Sequence, residues 1–95
     1  VGTGSHSVVQ LENEHFRVTE WTIEPGGSIP MHRHDYEYVV VPMVTGRMHA
    51  ENSDGTEFVA ELTQGVSYTR SAGQEHTISN RYSDENIVFV EIERL

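Results

Sequence analysis

His32-Arg33-His34 is the stretch of this sequence best suited to chemistry. Side chains on an extended segment alternate with period two, so the two histidines share a face and their imidazoles stand side by side. A third histidine, His76, follows a turn-rich segment with its own glycine spacing. Neutral imidazole is a common ligand of transition metals, and the three together point to a metal site inside a β-barrel.

Such a site needs strands that return distant histidines to one cavity, and the hydrophobic pattern supplies them. Short alternating runs are predicted as strands at Val8 to Leu11, Phe16 to Ile23, Glu37 to Val44, Met48 to Asn52, Glu57 to Leu62, Val66 to Arg70, Thr77 to Tyr82 and Ile87 to Ile92. No segment carries a helical period. Turn signals such as Pro25-Gly26-Gly27, Thr45-Gly46, Gln64-Gly65 and Ser83-Asp84 recur at the spacing of a sandwich or barrel. The chain therefore reads as all-β. Ser53-Asp54-Gly55 is the clearest hairpin, because Asp-Gly supplies the positive φ angles of tight turns. Pro42 lacks a ladder donor and is expected at an edge or a bulge. Residues 1–6 form a Gly/Ser-rich stretch without hydrophobic period and read as a vector-derived or disordered leader, leaving 7–95 as a single domain.

Composition narrows the function classes. Ninety-five residues suffice for one domain, and a core this small benefits from a metal or a partner. Fifteen acidic residues against six basic ones, all of them arginine, disfavour nucleic acid and anionic membranes as partners. No apolar run is long enough to span a bilayer and no signal-peptide pattern is present, so a cytoplasmic location is expected. Without cysteine there is no disulfide, thiolate ligand or thiol nucleophile.

From Gly26 the chain runs Gly, five residues, His32, one residue, His34, and later Gly46. From Gly65 it runs Gly, five residues, Ser71, one residue, Gly73, two residues, His76, three residues, Asn80. These stretches resemble the two signature motifs of the cupin family, and the resemblance spans Gly26 to Asn80. It implies a small double-sheet jelly-roll barrel with one divalent transition metal per chain (Fe, Zn, Ni or Mn) held by His32, His34 and His76. It also implies a homodimer. Two departures stand out. The family glutamate falls four or five positions after the second histidine, where this chain has Tyr38 and Val39, and Ser71 replaces a usual proline. Glu37, three positions on, reaches the metal only through a local bulge; otherwise it turns to the opposite face or accepts a hydrogen bond from a ligand histidine.

Tyr38 and Glu37 are the candidate catalytic residues. Tyr36, Tyr38 and Tyr68 can each supply a phenol near the metal, although aromatic residues in strands more often pack. Arg47 and Arg70 can bind a substrate carboxylate or simply balance surface charge. His49 faces either the pocket or solvent, His15 is assigned to the surface, and Trp21, Phe58 and Phe89 to the core or a dimer face. Asn80 is read as structural. Three neutral ligands without a carboxylate resemble the shell of cupin dioxygenases acting on diketones or thiols. An Fe(II)-type dioxygenase or related metal-assisted enzyme for a small oxygenated molecule is therefore the leading expectation. The alternatives are a small-molecule or metal binding module and a purely structural metal.

Overall fold

Runs rich in Val, Ile and Thr, cut by Gly, Pro and Asp, fold into nine strands in the computed structural model, which describes residues 2–95. Val1, the first residue of the expected leader, lies outside them. The strands are β1 (Ser5–Glu12), β2 (Phe16–Ile23), β3 (Ser28–Arg33), β4 (Tyr38–Pro42) and β5 (Gly46–Asn52), then β6 (Glu57–Leu62), β7 (Tyr68–Arg70), β8 (Glu75–Ser79) and β9 (Ile87–Arg94). No helix occurs among the described residues, so none is long and apolar enough to cross a membrane.

Every pairing is antiparallel, in two sheets ordered β1-β2-β9-β4-β7 and β3-β8-β5-β6. The sheets face each other as a jelly roll without closing into one continuous barrel. Alternation fixes what lies between them. Along β9, Ile87, Phe89 and Glu91 are buried while Val88, Val90 and Ile92 are less so; along β4, Tyr38, Val40 and Pro42 point the same way. Ile23 and Ile87 are 0% and 1% exposed and are register partners, closing one end of the core.

Asn80 holds that end together. Its Nδ2 donates to the carbonyls of Ile23 and Glu85, its backbone N–H to Gly27, and its carbonyl accepts from Gly26. These bonds satisfy turn carbonyls that would otherwise be buried unpaired. Gly27 has no alternative there, because an added Cβ would stand 2.4 Å from the Gly4 carbonyl oxygen.

The Gly4 contact also bears on the leader. Thr3 and Gly4 accept backbone hydrogen bonds from Ser28 and Glu24, and Ser5 and His6 pair with Ile23 and Thr22. The boundary expected after residue 6 falls inside β1. Glycine and serine hid the strand because its register is set by the β2 edge rather than by burial; all but the first of its residues are exposed.

At Ser53-Asp54-Gly55, Asn52 and Thr56 bond across a three-residue hairpin loop, and only Gly55 takes positive φ, at 89°. Asp54 instead accepts from the Thr56 N–H and hydroxyl. Pro42 ends β4 beyond the last β7 pairing, Val40 with Tyr68, so its missing N–H costs no bond to that strand.

Candidate metal centre

The first motif gains its geometry from an irregularity. Between Ile29 and His32 the β3–β8 register advances three residues on one strand and two on the other, pairing Ile29 with Ile78 and His32 with His76. The extra residue is a bulge, placed where Pro30 cannot donate to the ladder. It switches side-chain parity, so that Ile29 and His32 both face inward while Met31 is 48% exposed. Beyond β3 the pairing persists through backbone bonds of His34 with Gln74 and Gly73, so alternation returns His34 to the face of His32.

The three histidines converge. Nε2 of His34 lies 3.0 Å from Nε2 of His32 and 3.1 Å from Nε2 of His76, and the rings stand steeply to one another at 72°, 73° and 76°. Lone pairs gathered at one point repel unless a proton or a cation sits among them. Nitrogens about 2.1 Å from a shared metal are about 3.0 Å apart at right angles and about 3.4 Å apart at tetrahedral angles. The two spacings measured from His34 fit ligands at right angles about a shared metal.

Protonation fits as well. Burial, reinforced by the neighbouring charge of His32, lowers His34 and His76 from 6.5 to about 4, so both are neutral ligands at pH 7. His32 Nδ1 lies 2.7 Å from the Pro30 carbonyl; a proton on Nδ1 donated there leaves the Nε2 lone pair free. His34 stacks on Tyr38 with ring centres 4.1 Å apart, and its Nδ1 is 3.7 Å from Oε2 of Glu91. His76 Nδ1 is buried with no hydrogen-bond partner among the described residues, so packing alone orients that ring.

Tyr38 and Glu37 part company. Tyr38 is 4% exposed, faces the histidines and donates its hydroxyl to Gln74 Oε1 at 3.3 Å; burial raises its pKa, so it is a neutral phenol. It occupies the inward position among those where the family carboxylate falls, while Val39 turns to the other side. Glu37 is exposed, lies outside the cavity and contributes only its carbonyl, which accepts from Arg94. Residues 34–37 are the irregular link between β3 and β4, and Glu37 directly precedes the inward-facing Tyr38.

The carboxylate near the metal site is Glu91, which the sequence reading passed over. It is 7% exposed on β9, in line with Ile87 and Phe89, and burial pushes its pKa up to about 7. A glutamate at the core-facing parity of an otherwise apolar strand was the available signal. His49 faces away from the cavity, since its neighbours Met48 and Ala50 point in, and pairs with Glu57 at 2.7 Å. Arg70 and Tyr68 line the cavity, Arg47 lies over the Tyr82 ring outside it, and Tyr36 and His15 are exposed. Phe89 is core, Trp21 packs against it, and Phe58 lines the cavity at 38% exposure.

The cavity beside the histidines has a volume of about 30 Å³. On the other side of His32, His34 and Glu91 a groove of about 400 Å³ opens toward β1 and β2.

Known proteins resemble this chain in sequence and fold. A beta-alanine degradation protein, BauB, of Pseudomonas aeruginosa is 42% identical over 85 residues, 90% of this chain and 87% of that one. The crystal structure of a cupin domain from Bordetella pertussis superposes with a TM-score of 0.90 at 48% identity, covering 97% of this chain and 94% of that one. The polyketide cyclase RemF of Streptomyces resistomycificus shares the fold alone, with a TM-score of 0.73 at 19% identity over 96% of this chain and 65% of its own. The cupin domain model matches residues 19–93, and with motif, fold and three-histidine cluster agreeing, the chain belongs to the cupin family.

Proposed function

We propose that this cupin is a mononuclear metal enzyme of the dioxygenase type, acting on a small oxygenated molecule. The observation that carries the reading is the convergence of three imidazoles with no carboxylate among them. His32, His34 and His76 would hold one divalent transition metal, and such a metal supplies Lewis acidity toward oxygen donors or, as Fe(II), a place where substrate and dioxygen meet. Neutral ligands leave it its full positive charge, which favours an anionic, chelating substrate.

The chain's own residues complete the site. Tyr38 holds the His34 ring by stacking and presents a phenol to the cavity, and Glu91, near half-ionised at neutral pH, can hold or release a proton beside His34. The name of the Pseudomonas relative, a beta-alanine degradation protein, adds support for a short, oxygen-rich metabolite as ligand. One feature favours a second reading, a module that binds metal or a small ligand without turnover: the cavity beside the histidines is small, about 30 Å³.

We also propose a homodimer. β1 is an edge strand with Val8, Val9 and Leu11 each more than half exposed, and a second copy would cover them. Light scattering checks this; a monomer mass independent of concentration argues against it. For the activity, metal analysis of protein purified without added metal is combined with dioxygen uptake by the Fe(II) form over a panel of dicarbonyls, thiols and hydroxy acids. Uptake above a His76→Ala control supports the oxygenase. Full metal content with no uptake for any compound favours the binding module.

A further inference from the structure

We propose that Arg70 is the carboxylate-recognition residue of the cavity, and that the site takes a short organic acid whose other end carries a donor for the metal. This deepens the metal-centre reading and rests on it. Arg70 alone among the six arginines lines the cavity shared by His32, His34 and His76. The two arginines of the neighbouring groove are already engaged. Arg17 makes a bidentate pair with Glu93, both bonds 2.8 Å, and Arg33 bonds Asp35 at 3.3 Å and Glu75 at 3.2 Å. Arg70 has no ion pair among the described residues. Its guanidinium rests over the Tyr68 ring, 4.7 Å from the centroid, and its charge acts on both His76 and Tyr38.

A chain of net charge −9 has carboxylates to spare, yet this half-buried guanidinium faces the cavity without one. Glu91 is the one carboxylate lining the same cavity. With a divalent ion on three neutral ligands, the cavity would contain two positive centres, three charges in all, that one carboxylate does not balance. An anion bridging them does. A cation–π contact is weak beside a bidentate, charge-assisted carboxylate bond, so Arg70 can leave Tyr68 when such a ligand enters.

Length limits follow from the sheet. Arg70 is the register partner of Tyr38, and the Tyr38 ring stacks on His34. Directly opposed residues have Cβ atoms about 5 Å apart, which places the guanidinium about one side chain from the histidines and suits an acid of about two to four carbons. A ligand draws on the cavity and on the space Arg70 vacates; Phe58, partly exposed in the same wall, can give way.

The test uses Co(II)-loaded full-length protein, wild type, Arg70→Gln and Arg70→Lys, titrated with 3-mercaptopropanoate and with its uncharged amide. Sulfur-to-cobalt absorption reports binding, and cobalt content is measured on the same samples. Wild type is expected to bind the acid at least about tenfold more tightly than the amide. Arg70→Gln should lose that preference while keeping its cobalt, and Arg70→Lys should keep part of it, as a point charge without the fork. Equal affinity for acid and amide in wild type overturns the inference, and so does a preference that survives in Arg70→Gln, or no binding of either probe at millimolar concentration by protein that holds cobalt. If Arg70→Gln does not fold, the wild-type acid-to-amide ratio and the Arg70→Lys variant decide in the same way. Wild type that retains no cobalt sinks the metal-centre reading, and this inference with it.

Discussion

His34 and His76 are neutral at pH 7 because burial makes their charged forms costly, and for the same reason the Glu91 pKa beside them is pushed up to about 7. The two effects pull stability in opposite directions. Each histidine has a folded pKa near 4 against 6.5 unfolded, so it contributes stability above 6.5 that is lost as pH falls toward 4. Glu91, raised from 4.5 to about 7, contributes stability below 4.5 that is lost as pH rises through 7. Between 4.5 and 6.5 two histidines oppose one glutamate. Metal-free protein should therefore gain stability with rising pH by at most about 1.4 kcal/mol per unit, the slope of one net proton. Glu91→Gln removes the opposing group and should steepen that limb up to about twofold in urea melts run at several pH values; an unchanged slope would show that Glu91 titrates normally. Glu37→Gln should leave metal content unchanged, because its side chain is exposed and outside the cavity; a large loss of metal would mean that the carboxylate coordinates.

At the level of elements, the site depends on one bulge. With regular pairing between Ile29 and His32, parity would turn one of them outward, and the extra residue at Pro30-Met31 is what lets both face in. Deleting Met31 should restore regular pairing, expose either Ile29 or His32, and reduce bound metal from one per chain toward none while the β-sheet circular dichroism remains. Full metal content in the deletion variant would show that the bulge does not aim His32. The bulge also marks where the sequence stops being legible. β2 and β6 begin and end where alternation predicts, since each has one face on the core and one toward solvent. β3 was not predicted as a strand, because Pro30 and the parity switch break the period, although the two histidines it positions were recognised from their spacing. The family spacing led to His76, which composition alone would not single out among six histidines. Glu91 was missed because the run from Ile87 to Ile92 is apolar on both faces, so that parity had to be known before the one acidic residue in it could be assigned to the inside.

For the molecule as a whole, a metal on the three histidines would couple binding to folding. Nε2 of His32 and of His76 are each held about 3 Å from that of His34 by strands from both motifs, and the three histidines span nearly half the chain. The unfolded chain offers no such constellation, so a metal held there would bind the native state preferentially and its binding energy would become folding energy. At a free metal concentration about a hundredfold above the dissociation constant, the gain is about 2.7 kcal/mol. In a domain of this length each kcal/mol moves the thermal midpoint by about 4–8 °C, so the metal-loaded protein should melt roughly 10–20 °C above the chelated one. The dependence on ligands separates specific from adventitious binding. Replacing His32 and His34 together by alanine should erase the shift, even though the double variant keeps its buried Ile29 and Ile78 packing. Two imidazoles fewer leave His76 as a single ligand, and a single ligand holds a divalent ion no better in the folded chain than in the unfolded one. Calorimetry of both proteins with and without chelator makes the comparison, and equal midpoints for the loaded and chelated wild type would show that the histidine cluster is not a metal site.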